Sequence, residues 1–317
     1  MFLFFRPLMS LFSLFLLLPC LNAQPDTVLI GLYVNDIYDI NLSQKCFSAQ
    51  FWVWLNYRDS SLRAEETLEF PNAKELEEQL IYSEEKGGIR WASKRLTAVF
   101  KKDWDLRCFP FDVQKMVIEI EESDRDTSQL VYAPDIKNTK IDPRIGLSNW
   151  EIERFELVTS TRRYDTTYGD PTLTESSAYA HAELILYVRR RTLGLFFSLF
   201  TGMYVSFFIS WLVFFIDPVE VDPRFGLSVG GLFAAVGNKY IVDSILPQST
   251  TFTLVDKLHV LTYFFLLLCI VLSVASLRLW KSGMPEASAR FDQRSWKVIL
   301  IGYILANTWL IWLAASE

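Results

Sequence analysis

Four long apolar segments fill the second half of the chain and constrain its fold more than any other feature. Residues 192–216, 258–277 and 298–316 contain no Lys, Arg, Asp or Glu. Each is close to the roughly 20 residues that a helix needs to cross a bilayer. The fourth uncharged stretch, 225–238, is short and glycine-rich, which suits a membrane helix whose polar face lines water. We predict membrane spans at about 192–216, 223–243, 252–278 and 296–316.

The N-terminus has the pattern of an export signal. Residues 1–23 combine one early Arg6 with an apolar core and a small-residue end, which is typical of a secretory signal peptide. An anchor helix is the alternative, although the apolar core is shorter than a span. After removal of the signal, Cys46, Cys108 and Cys269 remain. The exported part therefore allows at most one disulfide, between Cys46 and Cys108, and its formation stays open.

Charge in the loops gives the direction of each span. With the N-terminus exported, the loop after the third span, 278–297, lies inside, and it carries an excess of Lys and Arg. This agrees with the positive-inside rule. The turn after the first span, 217–224, is also inside but contains Asp217, Glu220 and Asp222. Three carboxylates at the inner end of a membrane span indicate a role other than setting the orientation of the spans.

The exported half, residues 24–190, has a different periodicity. Apolar residues alternate with polar ones in short runs separated by turns, which predicts an all-β sandwich. The clearest strands are 28–34, 46–57, 113–121 and 179–189. A helix is predicted around 72–79, where charged residues dominate.

Composition excludes several classes of protein. A 51% hydrophobic content excludes a disordered chain, and a net charge of -6 excludes a basic nucleic-acid binder. The sequence has no nucleophile motif, no phosphate-binding glycine loop and only two histidines, His181 and His259, so we predict neither an enzyme nor a metal site. No cofactor is required, while divalent cations are allowed as modulators.

One motif connects the two halves to a known family. Trp104-Asp105-Leu106 precedes Phe109-Pro110-Phe111-Asp112, and Gln114 follows. Further matches are Val34-Asn35-Asp36-Ile37-Tyr38, Asp59 with Leu62, Trp150-Glu151-Ile152 and Ile245-Leu246-Pro247. With a signal peptide, a β domain and four spans in the same order, the chain resembles the pentameric ligand-gated ion channels (Cys-loop receptor superfamily), above all the bacterial type. It departs from the animal receptors at Lys102 and Met116, where their cysteines stand, and near Gly202, where the first-span proline is replaced.

The resemblance implies an immunoglobulin-like extracellular sandwich, a four-helix transmembrane domain from 191 to 317, and a homopentamer around a central pore. Counted back from Pro247, the pore-facing residues of the second span are Asp222, Gly226, Gly230, Phe233, Gly237, Tyr240 and Ser244. This spacing is one face of a helix. Without the resemblance, Gly226 and Gly230 would instead indicate a helix-packing face.

Two functions are assigned to this pore-facing stripe by the resemblance. Phe233 is the expected closed gate, because a ring of apolar side chains stops ions by dewetting, and Tyr240 is a second, outer narrowing. Asp222, assisted by Glu220, is expected to form a carboxylate ring that selects cations. The alternative for Asp222 is a helix cap. Arg224 is expected to point away from the pore or to pair with a carboxylate.

The resemblance also places coupling and ligand-binding residues. The coupling set is Phe109, Pro110, Phe111, Asp112, Arg190 and Pro247, together with residues 41–44 and 244–250. An ion pair between Asp112 and Arg190 is expected, with Arg189 and Arg191 as alternative partners. The candidates for ligand binding between subunits are Trp52, Glu122, Ser123, Tyr164 and Tyr168. Ser123 stands where an aromatic residue is usual, so an amine, a carboxylic acid and protons all remain as agonists.

The predicted function is therefore a cation-selective channel opened by an extracellular ligand or a pH change. Its expected partners are four identical subunits, a small molecule or protons, the lipid bilayer and permeating monovalent cations, with no nucleic acid. The expected location is the bacterial inner membrane, with several spans and a periplasmic N-terminal domain. The alternative is a membrane-anchored periplasmic binding or signalling protein without conductance.

Overall fold

The computed structural model describes residues 24–59, 61–169, 171, 176–245 and 252–316. The predicted signal peptide, 1–23, lies outside the described residues, as does Pro247 of the coupling set.

Two β-sheets face each other in the N-terminal half of the chain, residues 24–190. The strands are β1 (Asp26–Asn41), β2 (Cys46–Tyr57), β3 (Leu68–Glu69), β4 (Ala73–Lys86), β5 (Ile89–Lys101), β6 (Val113–Asp126), β7 (Leu130–Pro134), β8 (Lys140–Ile141), β9 (Trp150–Tyr164) and β10 (Ser177–Arg190). One sheet has the order β4-β5-β2-β1-β7, with β8 beside β1, and the other has the order β3-β6-β10-β9. The predicted all-β sandwich is confirmed.

Alternating burial explains why these segments form strands. Along β2, Phe47, Phe51 and Val53 are buried while Trp52 and Trp54 are half-exposed. Side chains two residues apart lie on the same face of a strand, so one face of β2 enters the core. Cys46 is buried with a free thiol, which means that it is not joined to Cys108 by a disulfide.

The helix predicted around 72–79 is wrong, because β4 covers this segment and pairs antiparallel with β5. Strand β4 lies at the end of its sheet, and nearly all of its side chains are exposed. An edge strand that is wet on both faces tolerates charged residues throughout, and charge also discourages pairing between edges. Its sequence therefore lacks the apolar alternation that identifies a half-buried strand.

Four helices follow the sandwich. Helix α1 (Thr192–Trp211) continues as a 3-10 helix (Leu212–Phe215), and α2 (Val221–Ile245), α3 (Leu254–Lys281) and α4 (Pro285–Ser316) come next. All four are long and apolar enough to cross a membrane. Helix α4 starts before the predicted span at 296, so much of the predicted loop 278–297 is helical. The basic Arg290, Arg294 and Lys297 lie on this first part of α4.

Candidate functional site

One face of α2 is uncovered in the subunit. We call it the pore face, and it consists of Asp222, Gly226, Gly230, Phe233, Gly237, Tyr240 and Ser244, all of which are exposed. Phe233 is 71% exposed and Tyr240 is 79% exposed. The opposite face contains the buried Arg224, Ser228, Ala235 and Val242. Because the other face packs on the subunit's own helices, the pore face is left for water or for neighbouring subunits.

Glycines on the two faces of α2 have different surroundings. A Cβ at Gly226, Gly230 or Gly237 would meet no atom of the described residues within 4 Å. At Gly231 it would lie 2.1 Å from the Ser210 Oγ of α1, so Gly231 is the glycine that permits close helix packing. The pore-face glycines therefore have no packing function within the subunit.

Charge at the start of α2 is divided between its faces. Asp222 lies in the first turn of the helix and is exposed, as is Glu220 before it. Arg224 points into the subunit, and its guanidinium lies 2.6 Å from the Asp292 carboxylate of α4. The prediction that Arg224 pairs with a carboxylate is confirmed. The exposed charge on the pore face at this end is thus negative.

The Phe-Pro-Phe loop lies directly on the helices. Leu106 and Phe109 share one apolar cluster with residues of three helices, namely Leu199, Phe200, Met203, Val242, Leu254, Val255 and Leu258. The backbone N–H of Leu254, at the start of α3, donates to the carbonyl of Arg107 at 3.1 Å. The ring of Phe111 lies 6.0 Å from that of Phe196 in α1. Direct packing therefore connects this loop to α1, α2 and α3.

The predicted ion pair between Asp112 and Arg190 is confirmed. The Arg190 Nε donates to Asp112 Oδ1 at 3.0 Å and its Nη2 donates to Oδ2 at 3.2 Å, with both side chains buried. Gln114 Nε2 donates to the same carboxylate at 2.7 Å. The guanidinium also lies over the Trp150 ring at 3.8 Å. The pair joins the Phe-Pro-Phe loop to the last residue of β10, directly before α1.

The alternative arginines have other contacts. Arg189 pairs with Glu153 on an exposed surface, and its side chain is 61% exposed. The backbone N–H of Arg191 donates to the carbonyl of Asn149 at 2.8 Å. Arg190 is therefore the arginine that reaches the loop.

Two of the ligand-binding candidates, Tyr164 and Tyr168, lie at a network of tyrosine, histidine and carboxylate groups beside the sheet of β6, β9 and β10. Tyr164 donates to Glu121 at 2.8 Å, and its ring meets that of Tyr168 edge to face, with ring centroids 5.6 Å apart. Burial and the Glu121 carboxylate raise the pKa of Tyr164 to about 12. His181, buried in β10, lies 3.2 Å from Glu121 and 3.2 Å from Glu183.

Glu122 and Ser123 continue β6 at the edge of this network. The Glu122 side chain is fully buried and accepts a hydrogen bond from Thr67 Oγ1 at 2.8 Å. Burial raises the pKa of Glu122 above its usual value. Ser123 Oγ donates to the Thr67 carbonyl at 2.9 Å, so this serine is tied to the loop before β3.

Trp52 lies apart from these candidates within the chain. It belongs to the other sheet, where its ring stacks on Tyr82 of β4 with centroids 6.1 Å apart. Trp52 and Tyr164 therefore belong to different sheets of the sandwich.

We predict that Glu122→Gln changes how stability depends on pH. A carboxyl group with a raised pKa binds its proton more tightly in the folded protein than in the unfolded chain. The protonated group therefore stabilises the fold. This stabilisation is complete below the pKa of the unfolded chain and is lost as the pH rises through the pKa of the folded protein. As the pH rises above about 4.3, the usual pKa of a glutamate, the apparent melting temperature should therefore decline less in Glu122→Gln than in the wild type. Glu69→Gln, at an exposed position of neighbouring β3, is the matched control. Equal slopes for all three proteins would contradict the prediction.

Sequence reasoning missed the polar contacts between helices. Asp292 lies within the predicted loop 278–297, yet it is buried on α4 and pairs with Arg224. Lys239 of α2 lies 2.8 Å from Asp256 of α3. The available signal was a charged residue inside or beside an apolar run, since such residues persist only when they have partners.

Comparison with known proteins supports the family resemblance. No protein-family model matches the chain. A curated protein from Gloeobacter violaceus (strain ATCC 29082 / PCC 7421), named "Proton-gated ion channel", is 21% identical over 316 residues, which cover 93% of this chain and 85% of the relative. The alignment thus includes both the sandwich and the four helices. This similarity agrees with the resemblance of the chain to the pentameric ligand-gated ion channels. The relative is an ion channel and not an enzyme, and the four helices of this chain are long and apolar enough to cross a membrane.

Proposed function

We propose that five copies of this channel surround a cation-selective pore lined by α2, and that an extracellular ligand or a pH change opens it. The proposed location is the bacterial inner membrane, with the sandwich in the periplasm. The observation that carries the proposal is the exposed pore face of α2 with Asp222 at its first turn. Five such carboxylates around an axis attract cations and repel anions.

Protons are one class of agonist that fits. The relative is named as proton-gated. The sandwich of this channel also holds carboxylates in unusual environments, since Glu122 is buried and Glu121 lies within hydrogen-bond distance of Tyr164 and His181. Ionisable groups of this kind respond to external pH when the surrounding packing changes. Amines and carboxylic acids remain alternatives, because Tyr164 and Tyr168 offer an aromatic surface beside these carboxylates.

The test is electrical recording from purified protein in lipid bilayers during external pH steps and during addition of amines and carboxylic acids. Neutralising the ring with Asp222→Asn should lower the permeability of Na⁺ relative to Cl⁻ by roughly tenfold, as expected for five charges at a narrow mouth. The measured quantity is the reversal potential in asymmetric NaCl.

Asp217→Asn is the matched control, because Asp217 is exposed in the same turn but lies outside the pore face. It should change selectivity much less. An Asp222→Asn channel with unchanged selectivity would contradict the carboxylate ring. Protein that reaches the bilayer and never conducts would favour the membrane-anchored binding or signalling protein instead.

A further inference from the structure

A positive charge follows Asp222 closely along α2. Arg224 is two residues later, and at a rise of about 1.5 Å per residue its backbone lies about 3 Å further along the helix axis. Five arginines at this level would carry as much positive charge as five Asp222 carboxylates carry negative charge. A carboxylate ring can select cations only if this charge is cancelled or kept away from the pore.

The contacts of Arg224 cancel its charge inside the subunit. Its side chain is 4% exposed, and its Nη2 donates to Asp292 Oδ2 at 2.6 Å. Its Nε donates to the Ile216 carbonyl at 3.0 Å, at the end of the 3-10 helix that follows α1. The guanidinium is therefore held between the base of α2, the end of α1 and helix α4.

Asp292 is itself held in place by serine side chains. Ser276 Oγ of α3 donates to Asp292 Oδ2 at 2.8 Å, and Ser288 Oγ donates to the Ser276 carbonyl at 2.8 Å. The second carboxylate oxygen, Oδ1, is buried and has no hydrogen-bond partner among the described residues. Apolar residues at both 224 and 292 would spare the desolvation cost of the pair, so the presence of the two charges indicates a function.

We propose that Asp292, on a helix remote from the pore face, is a positioning residue for ion selectivity. Its carboxylate neutralises Arg224 and keeps the guanidinium inside the subunit, so that Asp222 alone sets the charge at the mouth. The inference rests on the proposed cation selectivity. A purely structural role for the ion pair would not affect selectivity. The proposed role predicts opposite effects on ion permeation when the charge of Asp292 or that of Arg224 is removed.

Three variants test this prediction in the bilayer recordings described above. Asp292→Asn leaves one uncompensated positive charge per subunit, and we expect the permeability of Na⁺ relative to Cl⁻ to fall by about threefold to tenfold. Arg224→Gln leaves an extra negative charge, and we expect single-channel cation conductance to rise. The double variant restores a neutral site and should resemble the wild type. The two single-variant effects should be larger at about 0.01 M salt than at about 1 M, because salt screens charge.

The outcomes separate this inference from the function on which it rests. Asp292→Glu keeps the charge and is the conservative control, expected to conduct like the wild type. If Asp292→Asn fails to assemble, Arg224→Gln and the double variant still carry the test. If Asp222→Asn changes selectivity but the charge-altering variants leave conductance and reversal potential unchanged, only this inference is overturned. The ion pair of Arg224 and Asp292 would then have a structural role alone. An ineffective Asp222→Asn, or a channel that never conducts, would overturn the proposed function and this inference with it.

Discussion

Alanine in place of Phe233 is expected to give a channel that conducts without any stimulus. Phe233 is 71% exposed on the pore face, and Gly230 and Gly237 on either side of it have no side chain. In a ring of subunits the narrowest apolar level would therefore be made by Phe233. Such a ring blocks ions because water leaves it, and loss of the phenyl groups allows water to return.

The expected size of this effect is a rise in unstimulated current by roughly tenfold or more, since a barrier lowered by about 1.4 kcal/mol already changes a rate tenfold. The current is divided by the number of channels at the surface, so that differences in expression do not affect the comparison. Phe233→Leu keeps an apolar ring and should leak less than Phe233→Ala.

Phe225→Ala is the matched control for the gate. Phe225 is 67% exposed on the same helix but does not belong to the pore face. Its replacement should leave the closed channel closed. A leak in Phe225→Ala without a leak in Phe233→Ala would assign the gate to another face of α2.

The helices were predictable because their signals are local. Phe233, Gly237 and Tyr240 follow at helical spacing, so their common face is given by the sequence once its register is known. Strand β2 is equally visible, because its alternating burial matches its alternating residues. The register itself came from the family resemblance, since periodicity alone does not distinguish a pore face from a packing face.

Other features depend on contacts between distant parts of the chain. Arg224 and Asp292 are 68 residues apart and meet only when α4 packs beside the base of α2. Strand β4 resembles a charged helix in sequence because its position at a sheet edge, rather than its composition, determines its pairing. The polar beginning of α4, within the predicted loop 278–297, is helical. Long-range packing explains the ion pair and the pairing of β4.

The second large effect is expected at the ion pair of Asp112 and Arg190. Asp112→Asn leaves the Arg190 guanidinium buried without a counter-charge, which typically costs about 3 to 5 kcal/mol. The apparent melting temperature of the assembled channel should fall by roughly 10 °C. Because the pair joins the Phe-Pro-Phe loop to the strand that enters α1, the currents evoked by the opening stimulus should also be lost.

Removal of both charges distinguishes the effect of the pair from that of one buried arginine. The variant with Asp112→Asn and Arg190→Gln has no uncompensated charge, so its melting temperature should recover toward the wild type while the evoked current stays low. Arg189→Gln is the matched control, because the neighbouring Arg189 pairs with Glu153 at the surface, where such pairs contribute about 0 to 1 kcal/mol. If Arg189→Gln and Asp112→Asn lowered stability and current equally, the buried pair would not be the connection between the sandwich and the pore. If the double variant recovered stability and full current together, the pair would stabilise the fold without transmitting the stimulus.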